Sequence, residues 1–187
     1  MWRRSRTAAS RRRNTASDMA GATRLFLALW PDPAVREQLR EWRELWAWPR
    51  GATPVHTDKL HLTLHFLGNQ PSDSLPALLD GLAVPMSPFR LQLGVAELWH
   101  KGIAVLSPSS VPQELLDLHA ALARALTGVG LPLEPRAYRP HVTMARRATG
   151  AAVPPQGPAI DWLADHYALV ESKTGDGSGY TVLREYR

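Results

Sequence analysis

Apolar and polar residues alternate along the chain in patterns that predict short strands and amphipathic helices. Alternation with a period of two is typical of a half-buried strand, and apolar residues three or four positions apart are typical of a helix. These patterns predict strands over residues 24–30, 61–67, 89–99, 103–106, 141–145, 167–172 and 179–185, and helices over 33–46, 72–82 and 111–127. Asp32 is the expected N-cap of the first helix, with Pro33 as its first residue.

One strand–helix unit occurs twice, and each copy is followed by a His-x-Thr triplet. The first copy comprises strand 25–29, helix 33–46 and His-Leu-Thr at 61–63. The second comprises strand 103–106, helix 111–127 and His-Val-Thr at 141–143. Because two repeats are too few for a solenoid, we predict an α+β fold. It should have two pseudo-symmetric lobes, with mainly antiparallel sheets, around a central cleft.

The repeated triplets place four polar side chains on two strand faces. Residues i and i+2 of a strand share a face, so His61 points with Thr63, and His141 points with Thr143. Burying unpaired imidazoles is costly, and these faces should therefore border a wet cleft. The opposite face of the first strand is apolar and is expected in the core: Leu60, Leu62, Leu64 and Phe66.

The predicted cleft thus holds two imidazoles, two hydroxyls and no carboxylate. A neutral and a charged imidazole can act as general base and general acid near neutral pH, and hydroxyls can donate to phosphate oxygens. This set of groups is typical of in-line displacement at phosphorus. Each triplet supplies one histidine and one threonine, so the sequence does not show which histidine is the acid and which is the base.

The composition of the chain excludes several kinds of site. The chain has no Cys, which excludes disulfides, thiol nucleophiles and thiolate metal sites. No apolar run approaches the roughly 18 residues of a membrane span, and we expect a cytoplasmic protein without a membrane partner. His61 and His65 are four residues apart, a zinc-binding spacing on a helix, but the residues between them alternate as in a strand. We therefore expect no metal ion and no cofactor.

The basic charge is concentrated at the N-terminus. Residues 1–18 carry six Arg and one Asp, a net charge of +5 that equals the +5 of the whole chain, so residues 19–187 sum to zero. This segment has few large apolar residues, which is typical of disorder. We predict a disordered basic tail over residues 1–22 and a single domain over 23–187. Met19 is an alternative start to Met1, and an RNA-binding arm is an alternative role for the tail.

Two longer motifs carry a resemblance to a known family. HLTLHFLG at 61–68 and RPHVTMAR at 139–146 resemble the paired motifs of the two-histidine (2H) phosphoesterase superfamily, in particular the LigT-like RNA 2′,3′-cyclic phosphodiesterases. The resemblance extends to RLFLALWP at 24–31 and to the closing pattern of Glu171, Ser172, Gly179 and Tyr180. It covers the chain from about residue 23 to the C-terminus.

The resemblance implies a metal-independent, bilobal hydrolase that opens an RNA-terminal 2′,3′-cyclic phosphate to a 2′-phosphomonoester. It implies that His61 is the proton donor to the 3′ oxygen and that His141 is the proton acceptor from water. It also implies that Thr63 and Thr143 bind the phosphate. The expected substrates are RNA ends or nucleoside 2′,3′-cyclic phosphates, and the expected state is a monomer.

Two further residues are expected at the phosphate or the substrate. The resemblance implies that Arg146 binds phosphate, although strict alternation would send it to the face opposite His141, so the strand must end or twist there. His65 stands where family members often carry Lys or Arg, and alternation places it with His61 and Thr63, where it would help to hold substrate. Trp99 and Tyr138 are further candidates for contact with a base.

Two other functions fit the same residues. One is reversible 2′–5′ RNA ligation in the same site. The other is a nucleotide-binding module that keeps the cleft without turnover, which an assay with a cyclic nucleotide would separate from an enzyme.

Overall fold

The computed structural model of the chain describes residues 22–173 and 179–187. Its strands are β1 (Ala22–Leu29), β2 (Thr53–Pro54), β3 (Leu62–Pro71), β4 (Phe89–Trp99), β5 (Ile103–Pro108), β6 (Val142–Arg146), β7 (Ile160–Ala164), β8 (Tyr167–Lys173) and β9 (Gly179–Tyr186). Its helices are α1 (Pro33–Glu44), α2 (Leu75–Gly81) and α3 (Gln113–Gly128). Except for Ala22, which begins β1, the predicted tail lies outside the described residues, as does most of the predicted turn before Gly179.

The two predicted lobes are the two halves of one antiparallel sheet. In the described residues the strand order is β7-β4-β5-β6-β3-β1-β8-β9, and β2 pairs with β6. The central strands β3 and β6 pair at one position, Leu62 with Val142, and four strands of the main path lie in each half. The repeated units β1–α1–β3 and β5–α3–β6 meet at this pair, which confirms the predicted α+β fold with pseudo-symmetric halves.

The helices cover one face of the sheet and leave the other face open. The main core lies under the helices and includes the buried stripe of α3: Leu115, Leu118, Leu122 and Leu126. A separate, smaller cluster on the opposite face comprises Phe26, Ala28, Ala168 and Val170. The core leucines of β3 point toward the helices. Because the side chains of a strand alternate between its two faces, the residues next to these leucines project from the second, open face.

Each long helix connects the halves of the sheet. The Asp32 carboxylate caps α1 by accepting the Val35 N–H at 2.8 Å. The Trp42 indole N–H on α1 donates to the Pro158 carbonyl at 2.6 Å, just before β7 of the second half. In turn, α3 of the second half packs against β3 of the first half. No helix of the described residues is long and apolar enough to cross a membrane.

Several elements differ from the sequence-based predictions. The second helix begins with a 3₁₀ turn at Ser72–Ser74 and is α-helical from Leu75. Helix α1 ends at Glu44, after which Trp46 turns into the core and stacks on Trp48 with ring centres 5.1 Å apart. Strand β7 was not predicted, although its residues alternate strictly between buried and exposed.

Candidate active site

The central strand pair brings the two His-x-Thr triplets together. The pairing of Leu62 with Val142 places His61 across from Thr143, and it places Thr63 across from His141. The four side chains flank the pseudo-twofold axis on the face opposite the helices. One backbone pairing therefore brings the two triplets to the same cleft, as the sequence predicted.

Both imidazoles are oriented by the same hydrogen bond. His61 Nδ1 donates to the Lys59 carbonyl at 2.7 Å, and His141 Nδ1 donates to the Arg139 carbonyl at 2.7 Å. Because a carbonyl oxygen only accepts, each Nδ1 carries the proton, and in the neutral ring each Nε2 is an acceptor that can take up a second proton. The Thr63 hydroxyl donates to His61 Nε2 at 3.1 Å.

Arg36 of α1 supports the turn that orients His61. Its guanidinium donates to the Asp58 carbonyl at 2.7 Å and to the Thr57 carbonyl at 3.3 Å. These carbonyls belong to the 3₁₀ turn Thr57–Lys59, whose last residue accepts the His61 Nδ1 proton. A helix on one side of the sheet thus fixes the orientation of an imidazole on the other.

The surroundings of the two histidines differ. His61 is enclosed by three aromatic rings, those of Phe26, Trp30 and Tyr180, with ring centres 4.8, 5.7 and 5.4 Å away. His141 packs against Trp99, at 4.5 Å, beside a cavity of about 260 Å³. The aromatic enclosure of His61 was not predicted, because it depends on Tyr180 of β9 meeting Phe26 and Trp30 from the opposite end of the chain.

Burial and positive neighbours keep both imidazoles neutral. Burial lowers the pKa of His61 to about 4, and the charges of His141, Arg36 and Arg146 act in the same direction. Burial also lowers the pKa of His141, assisted by Arg136, Arg139 and Arg146. In each case the carbonyl that accepts the Nδ1 proton opposes the shift. The concentration of positive charge around two neutral imidazoles favours an anionic ligand.

A β-bulge brings Arg146 to the cleft. Between Val105 and Ala104 strand β5 advances by one residue, whereas β6 advances by two, from Thr143 to Ala145. The extra residue, Met144, shifts the alternation, so Arg146 joins the face of His141 and Thr143. Its charge acts on both histidines. From the sequence, Arg146 could reach the face of His141 only if the strand ended or twisted at this point. The bulge is the irregularity that brings it there.

A second bulge of the same kind, in β3, contradicts two predictions. Strand β1 advances from Leu27 to Ala28 while β3 passes from His65 to Thr63, so Leu64 is the extra residue. His65 consequently lies on the helix side, where its Nε2 bonds to the His119 carbonyl at 2.9 Å and its ring stacks on that of His119 at 4.0 Å. The prediction that His65 shares a face with His61 and Thr63 is wrong.

The bulge in β3 places Phe66 on the cleft face and not in the core. The prediction that it belongs to the core is wrong, because its side chain is 41% exposed and lies 6.0 Å from Phe26 on the cleft face. Phe66 and Arg146 each stand five residues after a motif histidine. The repeat itself therefore contained a signal that the two positions are equivalent.

The cleft face also holds a carboxylate, contrary to the prediction. Glu97 pairs across the strands with Val105, which pairs with Thr143, so the three residues share a face. Glu97 Oε2 accepts the Trp99 indole N–H at 3.2 Å and the Ser107 hydroxyl at 3.0 Å. Only the pairing of β4 with β5 and of β5 with β6 reveals this position.

The fold and the paired histidine motifs define a 2H phosphoesterase, and comparison with known proteins agrees. The chain belongs to the 2′-5′ RNA ligase superfamily, whose family model matches residues 31–176. The earlier resemblance of the motifs to this group is thereby confirmed.

Individual relatives have a similar length and fold. The RNA 2′,3′-cyclic phosphodiesterase of Thermus thermophilus is 33% identical over 179 residues, covering 87% of this chain and 89% of the relative. The Escherichia coli protein of the same name is 31% identical over 172 residues, covering 90% and 98%. The crystal structure of E. coli LigT complexed with 3′-AMP superposes with a TM-score of 0.78 at 28% identity, covering 88% of this chain and 97% of that one.

Proposed function

We propose that the chain hydrolyses RNA-terminal 2′,3′-cyclic phosphates to 2′-phosphomonoesters by two-histidine acid–base catalysis. The observation that carries this proposal is the matched pair of imidazoles. Each has its Nδ1 proton fixed on a backbone carbonyl, and each stands opposite the threonine of the other motif. Curated relatives that span nearly the whole chain are named RNA 2′,3′-cyclic phosphodiesterases, which supports the substrate class.

The mechanism follows from this arrangement. The non-bridging oxygens of the cyclic phosphate accept from the hydroxyls of Thr63 and Thr143 and from the guanidinium of Arg146. His141 Nε2 takes a proton from water as the water oxygen attacks phosphorus in line with the 3′ oxygen. The P–O3′ bond breaks, His61 Nε2 delivers its proton to O3′, and the phosphate stays on O2′.

The unequal surroundings support this assignment of acid and base. The cavity that adjoins His141 across Trp99 leaves room for water on that side, whereas the rings of Phe26, Trp30 and Tyr180 enclose His61. The low pKa of His61 belongs to the protein without an anion. A phosphate between the imidazoles favours the charged form of His61 and raises this pKa toward the range a general acid needs.

The proposal includes a metal-independent, monomeric and cytoplasmic enzyme that takes part in RNA processing. A guanidinium beside two imidazoles repels a divalent cation, so turnover should persist in EDTA. Light scattering during size-exclusion chromatography tests the monomer.

The decisive experiment incubates the full chain with cytidine 2′,3′-cyclic phosphate and identifies the product by ³¹P NMR. The 2′-monophosphate should form. His61→Ala and His141→Ala should each lower the rate by roughly 10²–10⁴-fold, and the double variant should lose far less than the product of the two effects, since groups that act as a unit are non-additive.

His166→Ala is the matched control, because His166 pairs with Asp165 in the connection between β7 and β8, away from the turn that orients His61. A folded His61→Ala or His141→Ala protein with wild-type turnover would contradict the mechanism. Binding of cytidine 2′-monophosphate without any turnover of the cyclic compound would instead indicate a nucleotide-binding module. Reversible 2′–5′ ligation is a second candidate, and the cavity beside His141 favours it.

A further inference from the structure

The proposed hydrolysis uses the cavity near His141 only as an approach for a water molecule, and the cavity is much larger than one water. It measures about 260 Å³ and lies between the ends of β4 and β5 and the segment that precedes β6. Its walls include Glu97, Trp99, Ser107, Tyr138, Arg139 and Pro140. Trp99 is the wall shared with the active site, since its ring lies 4.5 Å from that of His141.

The position of the cavity matters because the active site is otherwise pseudo-symmetric. On the His61 side, three aromatic rings occupy the space next to the imidazole. On the His141 side, Trp99 packs on the imidazole, and the cavity lies against Trp99 and the neighbouring Pro140. In the proposed mechanism this is the side from which the nucleophile approaches phosphorus, so a group held in the cavity can present an attacking oxygen.

The walls favour a flat ligand with apolar faces. An indole, a tyrosine ring and a proline supply apolar surface, and the Arg139 guanidinium lies 4.1 Å over the Trp99 ring. Drug-sized ligands fill pockets of about 300–1,000 Å³, so a cavity slightly below that range fits a single nucleobase. The Glu97 carboxylate repels phosphate groups and accepts hydrogen bonds without donating any.

Glu97 is also held in place. Its Oε2 already accepts from Trp99 and Ser107, so the carboxylate is oriented before a ligand arrives. An oriented acceptor favours a base with an amino group at its edge, such as cytosine with its N4 amine. Uracil carries a carbonyl oxygen at the same position, and two acceptors facing each other repel.

From these features we infer that the cavity is an acceptor pocket for the base of a second nucleoside, and that Glu97 makes it prefer an amino-bearing base to uracil. This inference rests on the proposed function. The 5′-hydroxyl of the bound nucleoside replaces water: its oxygen bonds to phosphorus, its proton passes to His141 Nε2, the P–O3′ bond breaks, and His61 Nε2 protonates O3′. The product is a 2′–5′ phosphodiester with a free 3′-hydroxyl.

Cytidine and uridine form a matched pair of acceptors for the test. The full chain is incubated with adenosine 2′,3′-cyclic phosphate and an excess of either nucleoside, and the 2′–5′ dinucleotide and adenosine 2′-monophosphate are quantified together. The ratio of transfer to hydrolysis cancels any change in folding or donor chemistry. It should be roughly five- to tenfold higher with cytidine than with uridine.

Glu97→Gln should reduce this preference to parity or invert it, because the amide can donate to the uracil carbonyl. Glu185→Gln, an exposed site on β9, is the matched control and should keep the preference. Equal ratios in the wild-type protein, a preference that survives Glu97→Gln, or hydrolysis without transfer to either nucleoside would each overturn the inference.

Failure of the proposed function is recognised separately, as the absence of both products. The pocket is then tested by isothermal titration of cytidine and uridine into the protein in the presence of sulfate. Tighter binding of cytidine that depends on Glu97 would uphold the pocket. Equal binding, or no binding of either nucleoside, would overturn it.

Discussion

Arg146 is the charged residue that both sides of the cleft share, since it lowers the pKa of His61 and of His141. A guanidinium in this position suits a phosphate between the imidazoles, because its fork of N–H groups can bind two oxygens. Arg146→Gln should lower kcat/KM for a nucleoside 2′,3′-cyclic phosphate by roughly 10- to 100-fold, since a hydrogen bond to a charged group contributes about 1.5–3 kcal/mol. Steady-state kinetics of the two proteins measure this loss.

The neighbouring Arg147 provides the control. Its guanidinium is exposed and donates to the Thr53 hydroxyl at 3.0 Å. Arg147→Gln removes the same charge one residue away and should change kcat/KM by less than about twofold. Equal losses from both substitutions would mean that general positive charge, rather than a contact by Arg146, attracts the substrate.

His61 makes anion binding dependent on pH. Its pKa is about 4 in the protein alone, and an anion between the imidazoles raises this pKa because it stabilises the charged ring. Between the two values, binding of an anion takes up a proton. Affinity should therefore weaken as the pH rises through the higher pKa of the complex.

Sulfate is the appropriate probe, because it does not titrate in this range. Isothermal titration at pH 6 in buffers with different ionisation enthalpies should show net proton uptake by the wild-type protein, and less uptake by His61→Gln. Binding with no proton uptake in the wild-type protein would show that the imidazoles stay neutral when an anion is bound.

At the scale of elements, the two bulges explain which site residues the sequence could predict. Alternation correctly placed His61, Thr63, His141 and Thr143, because all four precede the extra residue in their strands. It failed for His65 and Phe66, which follow Leu64. A bulge inverts the alternation of the residues that directly follow it, and the sequence of one strand does not reveal it. The register with the neighbouring strand is needed.

The bulge in β3 also creates a stack of rings on the helix side. His119 lies between His65 and Tyr138, with ring centres 4.0 and 3.9 Å away. Burial lowers the pKa of His65, and it lowers the pKa of His119 to about 4, with His65 acting in the same direction. These rings are therefore packed in the neutral form.

Neutral, partly buried histidines make the fold sensitive to acid. The unfolded chain binds protons near the ordinary pKa of 6.5, whereas folded His61 and His119 bind them near 4. Between these values the unfolded state holds more protons, so stability is full above about 6.5 and falls as the pH drops toward 4. The melting temperature should decrease over this interval.

His119→Phe tests the contribution of the stack. Phenylalanine preserves a flat ring between His65 and Tyr138 and removes one titrating group, so the melting temperature should fall less steeply with acid than in the wild type. His100→Gln, which removes an exposed histidine from the turn between β4 and β5, is the control and should keep the wild-type slope. An identical slope for His119→Phe and wild type would show that His119 does not take part in acid unfolding.

At the scale of the whole molecule, the repeat in the sequence predicted two halves but not how they are joined. Along the main path of the sheet the halves pair at one residue position, Leu62 with Val142, and the short strand β2 that precedes β3 also pairs with β6. The remaining connection comes from helices that pack on the opposite half, as when Trp42 of α1 bonds to the Pro158 carbonyl before β7. Local periodicity identifies each helix, whereas its packing partner depends on contacts between residues far apart in the chain.

The distribution of charge leads to a final prediction, which concerns the tail predicted over residues 1–22. Residues 1–18 carry the whole net charge of +5, and the rest of the chain sums to zero. The site uses residues from Phe26 onward, so a protein that begins at Met19 should fold and turn over cytidine 2′,3′-cyclic phosphate at the wild-type rate. Binding to long RNA depends instead on contacts between cations and phosphates, which release counterions and weaken with salt.

If the tail binds the RNA backbone, its removal should weaken the binding of a long single-stranded RNA at low salt. It should also flatten the dependence of log affinity on log salt, by about 0.7 for each phosphate that the tail neutralises. A full-length protein with six Arg→Gln substitutions in residues 1–18 separates charge from chain length and should behave like the truncated protein. A protein beginning at Met19 that fails to fold, or that loses turnover of the small substrate, would show that the tail belongs to the folded domain.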